Sequence, residues 1–296
     1  MSVAQAQARF ARVPFVAFLG MTLVDVAQGR AVLALPFQPA HANAAGPLNG
    51  GASAALLLMA GTVAAWTEID FDTEPHLGGV DMSIHYLSPA REEDVLAEAQ
   101  VVQRGRDLFF LAVTLHTPTG KPICQGVMTY RAPDYAGQAQ RLYARPALLP
   151  IPASMIPPDN PRVIRGYVHK LGMTVQHQSP SRVRLHMPCT AMHVDERGQM
   201  HAGALASITD LAGTAAAWSL VPRRPGTRGA TVGMHVSYTS ATTDPVVADA
   251  YVQQRSEELF FSTVHVTSTR TGDLVALGEV TYRLLEPRDG GGSGKG

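Results

Sequence analysis

The chain repeats itself. Leu19-Gly20-Met21-Thr22 returns as Leu171-Gly172-Met173-Thr174, an offset of 152 residues. Without a gap, the same offset lays Pro36 on Pro188, His41 on His193, Gly46 on Gly198, Gly51 on Gly203 and Trp66 on Trp218. "AGTVAAW" falls on "AGTAAAW", and Val80, Met82 and Tyr86 fall on Val232, Met234 and Tyr238. A one-residue deletion brings "LFF" at 108–110 onto "LFF" at 259–261, and a one-residue insertion then restores "TYR" at 129–131 onto 281–283. A period this long is not that of a solenoid, so the chain is a duplicated domain. Its 296 residues agree, at about 150 per domain.

The boundaries follow from the repeat. The first copy is expected over 1–134 and the second over 161–287. Between them, 135–160 contains "ARPALLPIPASMIPP", whose prolines exclude long regular elements and read as a linker. Residues 288–296, "DGGGSGKG" in the main, read as a flexible end outside the fold.

Each copy carries the same coarse order. Two short strands are predicted near 19–26 and 31–36, then a Gly-containing loop and a long apolar helix at 50–67 (202–219 in the second copy). Strands follow near 80–87, 94–104, 108–117 and 122–131, separated by the turn segments "RGRD" and "PTGK". Partial alternation in "AEAQVVQR" and "LAVTLHT" fits half-buried antiparallel strands. A helix apolar nearly all round must be covered on most faces. The fold class is therefore α+β, each copy a curled antiparallel sheet of five or six strands around one helix. The two copies are expected to pair edge to edge, which also protects the strand edges.

Composition excludes several functions. Lys+Arg and Asp+Glu balance at 24 each, so no basic field points to nucleic acid or an anionic membrane. The apolar run "VPFVAFLGMTLV" follows Arg9 and Arg12 as in a weak signal peptide, but its "LGMT" recurs inside the chain, which makes it structural. Gly50–Trp66 is uncharged yet short of a bilayer span. Two cysteines fit a reducing compartment without a disulfide scaffold, and a cytoplasmic location is expected. Eleven histidines show no metal-binding spacing, and no metal or cofactor is expected. Asp159-Asn160-Pro161 is a fragment of a hydratase-like motif without its His.

One residue breaks the pattern. The second helix, "HAGALASITDLAGTAAAW", carries Asp210, where the first has Leu58. Leu58 shows that the helix can be built without an acid, and a buried charge costs several kcal/mol unless satisfied or used.

The element order, the Gly-rich helix entry and the placing of the acid resemble the hotdog fold, in two fused copies. The loop and helix resemble the acyl-CoA thioesterases of the phenylacetyl-CoA thioesterase type. That family places an Asn ahead of a His-Gly-Gly helix start, an acid nine residues after the His, and a Ser or Thr on the next strand before Met-x-x-x-Tyr. The first copy matches with Asn43 and with Asn49-Gly50-Gly51, but has Leu58 for the acid and Gly79 for the hydroxyl. The second has Asp195 for the Asn, His201-Ala202-Gly203 at the helix start, Asp210 as acid and Thr231 as hydroxyl.

In the family the helix start comes from one subunit and the acid from its partner. The resemblance therefore implies one complete site, made of Asn43, Asn49 and Gly50 with Asp210 and Thr231. It implies one degenerate site, made of Asp195, His201 and Ala202 with Leu58 and Gly79. The Gly50 N–H is the expected oxyanion donor, helped by Asn49 or Asn43, and Asp210 the general base or nucleophile. Gly51, Arg91, Arg104 and Arg106 are expected to contact substrate, the arginines through the CoA phosphates. The expected partner is an acyl-CoA, with CoA part of the substrate. The fused halves form a pseudo-dimer, and further pairing of whole chains is left open. The alternative reading is a non-catalytic acyl-CoA-binding or regulatory hotdog protein.

Overall fold

The computed structural model describes residues 3–43, 45–70, 77–132, 166–222 and 224–287. The expected linker at 135–160, the Asp159-Asn160-Pro161 fragment and the tail at 288–296 lie outside them.

The first copy contains α1 (Val3–Phe10), α2 (Pro14–Leu19), β1 (Thr22–Ala27), β2 (Arg30–Leu35), α3 (Gly50–Trp66), β3 (Gly78–Tyr86), β4 (Val95–Arg104), β5 (Leu108–His116) and β6 (Pro122–Arg131). The second contains α4 (Tyr167–Lys170), β7 (Thr174–Ser179), β8 (Arg182–Met187), α5 (Ala202–Trp218), β9 (Arg228–Tyr238), β10 (Val246–Ser256), β11 (Leu259–Ser268) and β12 (Leu274–Leu285). The tandem hotdog and its antiparallel strands are as expected. The N-terminal helices were not. Leu19, expected in a strand, ends α2, and Gly20 turns the chain with φ 71°.

Among the described residues all twelve strands form one sheet, ordered β1-β2-β4-β5-β6-β3-β9-β12-β11-β10-β8-β7. The copies meet edge to edge through β3 and β9, antiparallel, with Ser83 opposite its own repeat equivalent His235. Ser83 Oγ and His235 Nδ1 are 2.8 Å apart, which marks the pseudo-twofold centre.

The long helices are held inside. All but two residues of α3 are buried. The repeated "LFF" explains part of this: Phe109 and Phe260 point inward and are fully buried, while Phe110 and Phe261 face out. Each buried ring contributes about 1.5–3 kcal/mol. The helices cross at their glycines. A Cβ on Gly51 would stand 2.8 Å from the Ser207 Cα, and one on Gly203 3.1 Å from the Ala55 Cα. These are repeat-equivalent contacts, so the close approach is symmetric, and at Gly51 a side chain would force the helices apart.

Candidate active site

The first helix start is set by Asn49. Its Oδ1 accepts from the Gly51 N–H at 2.8 Å, the N-cap arrangement that Asn favours. Among the described residues nothing accepts from the Gly50 N–H, which opens α3 and lies at the positive end of its dipole. Tyr86 donates to the Gly50 carbonyl at 3.0 Å and fixes the peptide from the strand side.

Asp210 of the other copy faces this helix start. A Cβ on Gly50 would lie 2.8 Å from Asp210 Oδ2 and 3.2 Å from its Cγ. The acid is 2 % exposed. Burial pushes its carboxyl up to about 6, opposed by the Thr231 hydroxyl and by the nearby Gly51 N–H. Thr231 Oγ1 donates to Asp210 Oδ1 at 2.8 Å. A bulge in β9 sets that hydroxyl: between Thr231 and Gly233 the pairing with β12 skips Val232. Such a bulge re-aims a side chain at the cost of one ladder position.

The geometry therefore brings together Asn49, Gly50, Gly51, Asp210 and Thr231. Asn43 lies in the loop that leads to this helix start. Its Oδ1 accepts from the Ala45 N–H at 2.8 Å, and its N–H donates to the Pro47 carbonyl, so it closes the loop before α3. Arg91 sits against that loop, bridged to Pro47 and reaching the Ala45 carbonyl at 3.4 Å. Arg104 is elsewhere. It donates to the Glu68 carbonyl and lies over the Phe109 ring, at the far end of α3, and Arg106 is in the adjoining turn. Seventeen residues of helix span roughly 25 Å, so neither of these two is at the helix start.

Sequence reasoning gave no role to Tyr86, Tyr167, Ser207 or Cys124. Tyr167 and Ser207 share a hydrogen bond of 2.9 Å, and Ser207 donates to the Gly51 carbonyl at 3.1 Å. Asp210 lies close enough to Tyr86, Tyr167 and Cys124 to help burial push all three up. Comparing the copies would have found Tyr167, because its repeat equivalent is Phe15.

The second helix start is built the same way and filled differently. His201 Nδ1 accepts from the Gly203 N–H at 2.9 Å, so this His is an N-cap. Its ring stacks on Phe15, centroids 4.7 Å apart. Burial holds it down to about 4, and so neutral at neutral pH. Arg9 of α1 donates to Glu196 in the preceding loop at 3.0 Å. Asp195 accepts from the Arg197 and Gln199 N–H groups, closing that loop as Asn43 closes the other. Leu58 and Gly79 stand where the acid and hydroxyl would be.

No group of three or more His, Cys, Asp or Glu among the described residues could hold a metal. No described helix is long and apolar enough to cross a membrane. A surface groove lined by Phe10, Val16, Met21 and Leu23 contains none of the residues around Asp210.

Known proteins fit this picture. Residues 45–124 match the family described as "Thioesterase superfamily". Residues 162–284 match a family described as a domain of unknown function, DUF4442. Acyl-coenzyme A thioesterase 13 of Homo sapiens is 38 % identical over 110 residues, 36 % of this chain and 75 % of that protein. The chain belongs to the thioesterase superfamily. The mouse protein of the same name is 34 % identical over the same length. Both copies are matched by solved structures. An acyl-CoA thioesterase II, TesB2, from Mycobacterium marinum superposes with a TM-score of 0.59 at 14 % identity, covering 93 % of this chain and 98 % of its own. A hot dog protein of unknown function from Alicyclobacillus acidocaldarius gives 0.66 at 17 % identity, covering 92 % and 98 %. At these identities the likeness is one of fold. This thioesterase-superfamily chain thus has the double-hotdog architecture throughout.

Proposed function

We propose that this chain hydrolyses acyl-CoA thioesters at a single site between its halves, with the Gly50 N–H and Asp210 on either side of the reacting carbonyl. The observation that carries this is their juxtaposition. An unpartnered helix-start N–H from one copy meets a buried, hydroxyl-bonded acid from the other, and glycine leaves the gap between them. The names of the relatives supply the substrate class.

The chemistry follows from the positions. A thioester carbonyl seated at Gly50 directs its oxygen to the N–H, which strengthens its bond as negative charge develops there. A donor aimed at an oxyanion contributes about 3 kcal/mol to the barrier. Asp210, ionised above about pH 6, takes a proton from water, and the hydroxide adds to the carbonyl carbon. The tetrahedral oxyanion collapses, the C–S bond breaks, and the thiolate recovers the proton from Asp210. Free acid and CoA leave. Direct attack by the Asp210 carboxylate would instead give a mixed anhydride that water cleaves. In a single turnover in H2 18O, label in Asp210 identifies an anhydride opened at the Asp210 carboxyl carbon, whereas the water route labels only the free acid.

Thr231 holds one carboxylate oxygen and leaves Oδ2 toward Gly50. In this reading Arg91, against the loop before α3, binds the CoA phosphates.

The test is release of free thiol from a panel of acyl-CoAs. Wild type and Leu58→Ala should turn over alike, and Asp210→Asn should be nearly inactive. Full activity in Asp210→Asn would overturn the site. No hydrolysis by wild type across the panel, with acyl-CoA still bound, would favour a non-catalytic acyl-CoA binder.

A further inference from the structure

The two long helices are tied together by side chains on one side of their crossing. Ser207 of α5 lies in that crossing, where a Cβ on Gly51 would stand 2.8 Å from its Cα. Its Oγ reaches two carbonyls, that of Gly203 in its own helix at 2.6 Å and that of Gly51 in α3 at 3.1 Å. Carbonyls only accept, so the serine's one proton is committed to them. The Tyr167 hydroxyl, 2.9 Å from Ser207 Oγ, is therefore the donor in the bond between the two. Tyr167 is fully buried, and a buried phenol is stable only with such a partner. The chain runs one way, from α4 through α5 to the start of α3.

The other copy cannot build it. The repeat lays Ala55 on Ser207 and Phe15 on Tyr167, and neither has a hydroxyl. Ala55 packs at the crossing against Gly203, and Phe15 stacks on His201. The clasp thus exists at the helix start that faces an acid and is missing at the one that faces Leu58. Its two ends flank the two groups of the proposed site. Gly51 follows Gly50, and Ser207 precedes Asp210 by three residues on the same face of α5. The Gly51 N–H also bears on the Asp210 carboxylate and favours its charged form. A bond from Ser207 to the Gly51 carbonyl therefore sets the spacing between the Gly50 N–H and the acid.

We infer that Tyr167 and Ser207 are positioning residues, whose hydrogen-bond chain holds the Gly50 N–H in register with the Asp210 carboxylate. Neither touches the acyl group in this role. They act through Gly51, and a displacement of about 1 Å between reacting groups costs on the order of 10²-fold in rate. The inference rests on the proposed site and adds what holds its two halves together.

The test transplants residues between the copies. Ser207→Ala and Tyr167→Phe install what the other copy carries at the same crossing, so both side chains pack. On acetyl-CoA and hexanoyl-CoA, kcat should fall at least about tenfold in each variant, with KM within about threefold of wild type. The double variant should fall no further than Ser207→Ala alone, because Tyr167 acts through Ser207. Amide hydrogen exchange reads the same clasp without a thioester. Exchange over 49–54 should quicken at least about fivefold in each variant, while exchange over 60–66 stays as in wild type. Full kcat in both variants, losses confined to KM, or a double variant that loses the product of the two single losses would overturn the inference. Unchanged exchange over 49–54 would overturn it as well, whether or not wild type hydrolyses any thioester. Quickened exchange in a protein that releases no thiol would sink the thioesterase reading and leave the clasp as the tie between helix start and acid.

Discussion

Gly50 and Asp210 come from different copies of the repeat, and a methyl group on Gly50 would stand 2.8 Å from the Asp210 carboxylate. Ala202 and Leu58 hold the repeat-equivalent positions, where no charge needs room. The glycine and the acid are thus matched to each other across the pseudo-dimer.

That match predicts the effect of Gly50→Ala. The added methyl would press on the carboxylate and occupy the approach to the N–H. Activity on acyl-CoAs should fall by about 10²-fold or more, the scale of losing one oxyanion donor. Ala202→Gly should leave the rate unchanged. Thiol-release kinetics on the two variants give the comparison, and equal losses in both would refute the asymmetry.

Asp210→Asn should reduce kcat by about 10²–10⁴-fold, as expected for loss of a positioned base, with KM altered far less. A loss appearing only in KM would assign Asp210 to binding.

The raised carboxyl sets the pH dependence. Activity requires the ionised form, so kcat/KM should rise through about pH 6 and level off above it. Thr231 bonds the charged form and so favours it. Thr231→Val should therefore move the midpoint upward; a downward shift would mean that the hydroxyl plays another part.

The same group opposes folding at neutral pH. Its folded pKa lies above the unfolded value, so between about pH 4 and 6 the folded state binds more protons, and stability falls as pH rises. Asp210→Asn should stabilise the protein above pH 6 by as much as about 3 kcal/mol, with the gain vanishing below pH 4. Urea denaturation at pH 4 and pH 8 checks this. An Asn variant less stable at pH 8 would show that the acid is held by bonds the amide cannot replace.

His201 tests the silence of the second site. It is a helix cap under Phe15, so His201→Ala should cost about 1 kcal/mol of stability and leave thioester hydrolysis within about twofold. A large rate loss would make that site functional.

Much of this was legible from the repeat. Aligning the copies fixed which positions differ, and Leu58 against Asp210 needs no coordinates to be noticed. Edge-to-edge pairing of the halves was also expected, because a shared edge protects both strands, but not that β3 and β9 form it. The N-terminal helices were not expected. The apolar run "VPFVAFLGMTLV" was read only as structural, with a strand from about Leu19, and α2 forms because Phe15, Val16 and Leu19 bury one face together. Asn43 was assigned a part in oxyanion binding. Its side-chain oxygen also closes a turn, which the sequence reading left out and which Asn adopts wherever the backbone allows it.

Sequence alone determined that the chain is a duplicated α+β domain with one acid in its long helices, one Gly-Gly helix start and no copy holding both. These are facts of residue identity and spacing. Only the tertiary structure decided that Asp210 faces Gly50, that Thr231 is turned onto the acid beside a bulge, and that Tyr282 lies over Gly229. Each of these depends on packing between segments far apart in the chain, where the space left by one side chain sets the position of another.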